Sequence, residues 1–273
     1  MDLMKYYFDE NEKPLDRLVS DGGFCGIFRT IACVGDSLSS GEFEVSTPKG
    51  KMYLDMFDYS WGQYIARAAG CKVYNFSRGG MTAKEYCDGY AAAMSFWNTE
   101  KAAQAYIIAL GANDLFGLRQ PVGDLSDVCD DDYTKNTDNF AGRYCEIIQR
   151  YKKIAPDAKF FLLTMPKEDL PEDHEHAKLL AAQCGLMHKI AAHFENCYVI
   201  DLHENMPTQT AEYKERFYLE GHLNPCGYMF TAQVVMSYID YIIRHNFKDF
   251  ARVGFINTAF GDSCLKRLED EAH

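Results

Sequence analysis

The sequence predicts a single α/β domain: a mostly parallel five-stranded sheet with helices on both faces, three layers in all. Strand-like runs alternate with helical patterns five times along the chain. No linker-like stretch or internal repeat interrupts them, so residues 1–273 read as one domain. The length allows a sizeable core, and 47% hydrophobic residues mark a globular chain.

The elements justify this one by one. Residues 1 to 28 are polar, with one short helix, and end in the turn-rich Asp21-Gly22-Gly23-Phe24-Cys25-Gly26. Ile31 to Val34 reads as a buried strand stopped by Gly35, with Asp36-Ser37-Leu38 directly after it. Gly41 to Asp58, which holds Phe43, Met52, Tyr53, Met56 and Phe57, reads as a long irregular loop and a candidate lid. A helix from Ser60 to Ala69 is stopped by Gly70. A strand over Lys72 to Phe76 is followed by Ser77-Arg78-Gly79-Gly80-Met81-Thr82 and a helical region to Thr99. The apolar strand Ala105 to Leu110 runs into Gly111-Ala112-Asn113-Asp114. Loop follows to residue 135, and its Asp130-Asp131-Asp132 lacks the alternating oxygen spacing of a calcium loop, so it reads as solvated surface. Asn136 to Ile154 has helical periodicity and is closed by Pro156. A fourth strand, Lys159 to Met165, a helix from Asp173 to Phe194 and a fifth strand, Tyr198 to Leu202, complete the alternation. Asn224-Pro225 is a cap-plus-proline start signal for the last long helix, with a stripe through Tyr228, Thr231, Val235, Tyr238 and Ile242. The tail from Phe247 is ambiguous.

Composition narrows the function. Twenty-eight basic against forty acidic residues give a net charge of −12, which repels phosphate backbones and argues against nucleic acid. No apolar run reaches the roughly 20 residues of a membrane span. The acidic stretch Met1 to Glu10 does not resemble a secretion signal, so the expected location is cytoplasmic. The ten cysteines are scattered with no Cys-x-x-Cys pair, which reads as buried free thiols. His174, His176, His188 and His193 form no i, i+4 pair, so neither metal nor cofactor is expected.

Parallel strands deliver their loops to one rim. Ser37, Gly80, Asn113 and His222 each fall in such a loop. Acyl transfer needs a nucleophile, a base for its proton and donors aimed at the developing oxyanion. A serine, a histidine, a glycine whose N–H a substrate can approach and an asparagine amide are the residue types that chemistry uses.

In these four blocks the sequence resembles the SGNH or GDSL hydrolases, serine esterases and lipases with a flavodoxin-like α/β fold. Gly35-Asp36-Ser37-Leu38, Asn75 to Thr82, Gly111-Ala112-Asn113-Asp114 and Gly221-His222-Leu223-Asn224 match in order, over a core of about residues 30–245. The resemblance implies Ser37 as nucleophile, His222 as base, and an oxyanion hole from the N–H groups of Ser37 and Gly80 with the Asn113 amide. Asp36 and Asp114 would brace the loops. The family usually places an aspartate three residues before the histidine, where this chain has Leu219. Glu220, one residue nearer, is the candidate substitute. The alternative is a Ser37–His222 dyad whose imidazole is held by a backbone carbonyl, with Asp201 a further candidate.

The resulting expectation is an enzyme cleaving small acyl esters, acetyl esters of carbohydrates among them, through an acyl-enzyme. Lysophospholipase or thioesterase activity is an alternative. A non-catalytic carbohydrate-binding or scaffolding protein on the same fold is another, favoured by the displaced acid. A nucleotide binder is disfavoured, because no glycine-rich phosphate loop follows the first strand.

Overall fold

The computed structural model of the chain describes residues 8–271. Most of the acidic Met1 to Glu10 stretch therefore lies outside the described residues. In chain order the strands are β1 (Thr30–Gly35), β2 (Glu42–Thr47), β3 (Gly50–Asp55), β4 (Lys72–Asn75), β5 (Ala105–Ala109), β6 (Lys159–Leu163), β7 (Cys197–Ile200), β8 (Tyr218–Leu219) and β9 (His222–Leu223). The main helices are α1 (Trp61–Ala69), α2 (Phe140–Ile154), α3 (Glu175–His193), α4 (Ala211–Phe217) and α5 (Pro225–His245).

The central sheet has the order β4-β1-β5-β6-β7, and every pairing in it is parallel. Its strands read as continuous apolar runs because both faces are covered. Alternate residues enter two separate clusters. Ile31, Cys33, Ile107 and Phe161 pack against α1 and α5, whereas Ala32, Val34, Ile108 and Phe160 pack with Tyr144, Ile148 and Met187 of α2 and α3. The three layers, the five strands and the parallel pairing agree with the sequence reading.

The helix boundaries follow local chemistry. Ser60 caps α1 by accepting from the Gln63 N–H, and Gly70 ends it in the left-handed region at φ 66°. Asn224 caps α5 through the Gly227 N–H, with Pro225 at the first helical position.

Three expectations are corrected. Gly41 to Asp58 is mainly an antiparallel hairpin of β2 and β3, not an irregular loop. Phe43 of the inner strand is buried, while Met52, Tyr53 and Leu54 of the outer strand are exposed. The helix expected up to Thr99 is broken: a wide turn at Tyr86–Tyr90 interrupts it, and it ends near Ala93. Helix α4 and the short β8–β9 hairpin were not anticipated. All ten cysteines are free, six of them buried, but Cys226 is exposed.

Candidate active site

Ser37 opens a one-turn helix, Ser37–Ser40, at the C-terminal end of β1. Asp36 builds that turn. Its carboxylate accepts from the Leu38 N–H at 3.1 Å, and its carbonyl accepts from the N–H groups of Ser39 and Ser40. An ideal Cβ on Gly35 would lie 2.2 Å from the Ser39 hydroxyl oxygen, so only glycine lets the chain fold back this tightly.

Gly80 sits after β4 with φ 70°, and the space where its side chain would stand is open. Its amide is therefore approachable and its conformation is one that favours glycine. The Asn113 amide donates to the Met81 carbonyl at 3.2 Å and lies 3.5 Å from an Asp36 carboxylate oxygen. Asn113 thus joins the residue after Gly80 to the residue before Ser37, and the three loops converge. Asp114, completely buried, accepts from the Ala83 N–H at 2.9 Å, while its second oxygen has no hydrogen-bond partner among the described residues. Burial lifts the Asp36 carboxyl to about 6 and the Asp114 carboxyl to about 7.

His222 arrives on β9, its side chain 15% exposed. Its Nδ1 lies 3.2 Å from Glu44 Oε2, and the same oxygen accepts the Gly221 N–H at 3.0 Å. Glu44 is 4% exposed at its side chain, and Lys51 across the hairpin binds its other oxygen. The Lys51 hydrogen bond, reinforced by His222 and the Gly221 amide, holds the Glu44 carboxyl below its ordinary range. On the other side of the ring, Nε2 lies 3.2 Å from Glu42 Oε1. Desolvation raises the Glu42 carboxyl, and the neighbouring His222 opposes that rise. An ideal Cβ on Gly79 would fall 2.1 Å from the other Glu42 oxygen, so a side chain at Gly79 would displace this carboxylate.

Glu220 is elsewhere. Its carboxylate accepts from the Ser46 N–H at 2.8 Å and from the Ser46 hydroxyl at 2.7 Å, at the far end of β2. The reading of Glu220 as the acid that orients His222 is corrected on geometry: the residue has φ 58°, and its side chain is committed to the hairpin. The carbonyl-held dyad does not describe the ring either, since a carboxylate faces Nδ1. The acid was missed because it precedes the histidine by 178 residues and lay in a segment read as loop. The alternation Glu42-Phe43-Glu44-Val45 was the signal available.

Asp201 is likewise committed to other partners. It caps the turn after β7 by accepting from Glu204 N–H at 3.0 Å, and it bonds Thr164 and, at 2.7 Å, His188. Cys184 joins these, and one ligand atom from each of Cys184, His188 and Asp201 lies within 4.8 Å of the others. A search for paired histidines passes over this group because the helical pair is Cys184 with His188. Its donor types suit a divalent transition metal. Asp130 of the acidic run pairs with His193, and Asp132 caps its own turn through Thr134. Among the described residues no helix is long and apolar enough to cross a membrane.

The model of the GDSL-like lipase/acylhydrolase family matches residues 33–230, a span that holds all four loops. Among solved structures, the chain is similar to a carbohydrate esterase family 2 enzyme with a carbohydrate binding domain from Corynascus thermopiles (Myceliophthora fergusii). Identity is 17%, the TM-score is 0.54, and the match covers 77% of this chain and 65% of that one. It is similar to a family two carbohydrate esterase from Clostridium thermocellum in complex with cellohexaose, at 15% identity and TM-score 0.54, over 81% and 65% of the two chains. A Lactobacillus plantarum protein matches at 14% identity and TM-score 0.57, over 78% and 97%. These likenesses are of fold. No curated protein sequence matches the chain.

Proposed function

The chain belongs to the GDSL-like lipase/acylhydrolase family, and we propose that it is a serine hydrolase that cleaves small acyl esters through an acyl-enzyme. The observation that carries this reading is the carboxylate of Glu44 on Nδ1 of His222, with Gly221 fixing the same oxygen. An acid so placed favours the tautomer with its proton on Nδ1, so that Nε2, which here faces Glu42 at 3.2 Å, can accept the serine's proton once that carboxylate gives way to substrate. The absent aspartate was the feature that favoured a non-catalytic protein, and Glu44 supplies its equivalent from another strand.

In the proposed reaction the Ser37 hydroxyl oxygen attacks the ester carbon while His222 Nε2 takes its proton. The carbonyl oxygen becomes an oxyanion facing the N–H groups of Ser37 and Gly80 and the Asn113 amide. Collapse breaks the bond to the alcohol, which leaves with the proton from His222. Water then repeats the sequence on the acyl-enzyme and releases the carboxylic acid. The carbohydrate esterases of like fold support a sugar as the alcohol half.

The test is covalent labelling by a fluorophosphonate, followed by mass spectrometry, together with hydrolysis of p-nitrophenyl acetate. The label should sit on Ser37, and Ser37→Ala and His222→Ala should each lose about 10⁴- to 10⁶-fold in rate while remaining folded. A folded Ser37→Ala protein that still hydrolyses the ester would sink the assignment.

A further inference from the structure

We propose that Cys184, His188 and Asp201 form a site for one divalent transition-metal ion of the zinc type, which clips helix α3 to the end of β7. The site shares no residue with the proposed catalytic unit and does not depend on the serine-hydrolase reading. Local sequence builds half of it. Cys184 and His188 are four residues apart within α3, so they stand one above the other on a single face of the helix. The other half comes from the sheet, where Asp201 directly follows the last residue of β7. One ligand atom from each of the three lies within 4.8 Å of the other two.

The spacing is that of ligands. The Cys184 sulfur lies 3.6 and 3.7 Å from the two Asp201 carboxylate oxygens. In a tetrahedral zinc site, with metal–sulfur about 2.3 Å and metal–oxygen about 2.1 Å, the S···O edge is about 3.6 Å. His188 Nε2 is closer, 2.7 Å from Asp201 Oδ2, as a hydrogen bond requires. The corresponding N···O edge is about 3.4 Å, so the ring must withdraw by about 0.7 Å. Its side chain is 54% exposed and has room to do so. Asp201 stays in place, because its Oδ1 accepts from the Glu204 N–H at 3.0 Å and the Thr164 hydroxyl at 3.1 Å. Hydrogen bonds of this kind orient a ligating carboxylate, and here they leave Oδ2 for the ion.

A thiolate, an imidazole and one carboxylate are the donor set of zinc and cobalt, whereas calcium and magnesium take oxygen ligands. On binding, the ion displaces the Cys184 thiol proton, which leaves to solvent, and accepts lone pairs from Nε2 and Oδ2. Cys184 and Asp201 are buried, so the exposed side of His188 is the entry path and the fourth position is open to water. Lys167, a cation that acts on Cys184, is paired with Glu204 at 2.9 Å and so opposes the ion little. The bound ion joins α3 to the end of β7 and, through Thr164, to the end of β6, so its effect is on stability.

The experiment needs no esterase assay. Untagged protein is stripped with EDTA, freed of the chelator, kept reduced with a phosphine and titrated with Co²⁺. Binding should saturate near one equivalent and give the near-ultraviolet charge-transfer band of a cobalt–thiolate bond, and Zn²⁺ should displace it. Cys184→Ala should abolish the band, whereas Cys226→Ser, which removes an exposed thiol, should leave it unchanged. His188→Ala, at a half-exposed position that leaves the fold intact, should weaken Co²⁺ binding at least about tenfold. Tm should rise by about 5 °C at free Zn²⁺ a hundredfold above its Kd, and Mg²⁺ should not raise it. Absence of a thiolate band, a band that survives Cys184→Ala, or equal Co²⁺ affinity in His188→Ala would overturn the site. An equal rise of Tm with Mg²⁺ would overturn the choice of ion.

Discussion

Glu44→Gln is the substitution that bears hardest on the proposed catalytic unit. The two side chains have nearly the same shape, and glutamine retains an oxygen for the Gly221 N–H now held at 3.0 Å. What it loses is the negative charge 3.2 Å from Nδ1 of His222. Replacing a buried triad aspartate by asparagine costs about 10⁴ in kcat, through the wrong tautomer and a less stabilised imidazolium. Glu44 is as buried at 4% side-chain exposure, but Lys51 already neutralises part of its charge. The expected loss therefore lies in the lower part of the range, about 10² to 10³ in kcat, with little change in KM because the effect is on the transition state. Glu220→Gln, measured beside it on p-nitrophenyl acetate, should cost less than about tenfold, since its carboxylate meets Ser46 and not the ring. Circular dichroism and Tm show that each variant is folded. A loss under tenfold for Glu44→Gln, or above a hundredfold for Glu220→Gln, would refute the argument.

Asn113→Ala should lower kcat by roughly 10² to 10³ with a small change in KM, and a change confined to KM would make the amide a substrate-positioning group instead. Glu42→Ala should raise kcat/KM for neutral esters severalfold by freeing His222 Nε2 from the carboxylate 3.2 Å away, whereas a fall above a hundredfold would make Glu42 part of the machinery. The raised carboxyls of Asp36 and Asp114 mean that the native state binds protons the unfolded chain has released. Their contribution is therefore present near pH 4 and lost as pH rises to about 7. By removing its share, Asp114→Asn should be more stable than the parent at pH 8, by on the order of 3 kcal/mol, and close to it at pH 4. An offset equal at both pH values would contradict this. Esterase activity should survive exhaustive dialysis against EDTA, so a requirement for added zinc would point to the Cys184, His188 and Asp201 group.

What was legible in the sequence is what chain-local physics determines. Buried parallel strands are apolar on both faces, so Ile31 to Val34 and Ala105 to Leu110 stand out without any knowledge of their partners. Caps and stops are equally local, as Ser60, Gly70, Asn224 and Pro225 show. The hairpin of β2 and β3 was not legible in the same way. Its strands carry mixed polar and apolar residues, and its outer strand is exposed along its whole length, so little burial patterns it. The partner of His222 was hidden for a different reason. A carboxylate can be supplied from any element that reaches the ring, and spacing along the chain says nothing of the approach.

The hairpin also gives Glu220 a role that its position in the sequence does not suggest. The β8–β9 turn and the β2–β3 hairpin are joined by one set of contacts: Glu220 grips Ser46 by two hydrogen bonds, and Glu44 grips Gly221 and His222. Each segment alone is a short antiparallel pair, of a kind that is marginal without packing. Together they brace one another, with Phe43 packed edge-on against Tyr228 of α5 and the Tyr228 hydroxyl donating to the Glu42 carbonyl at 2.7 Å. The exposed clasp at Ser46 therefore acts on His222 only through the register of β2, which carries Glu44 two residues earlier. A role of that kind tolerates the loss of a screened charge and does not tolerate a shift of the strand. A one-residue slip would turn Glu42 and Glu44 to the opposite face and leave His222 without either carboxylate.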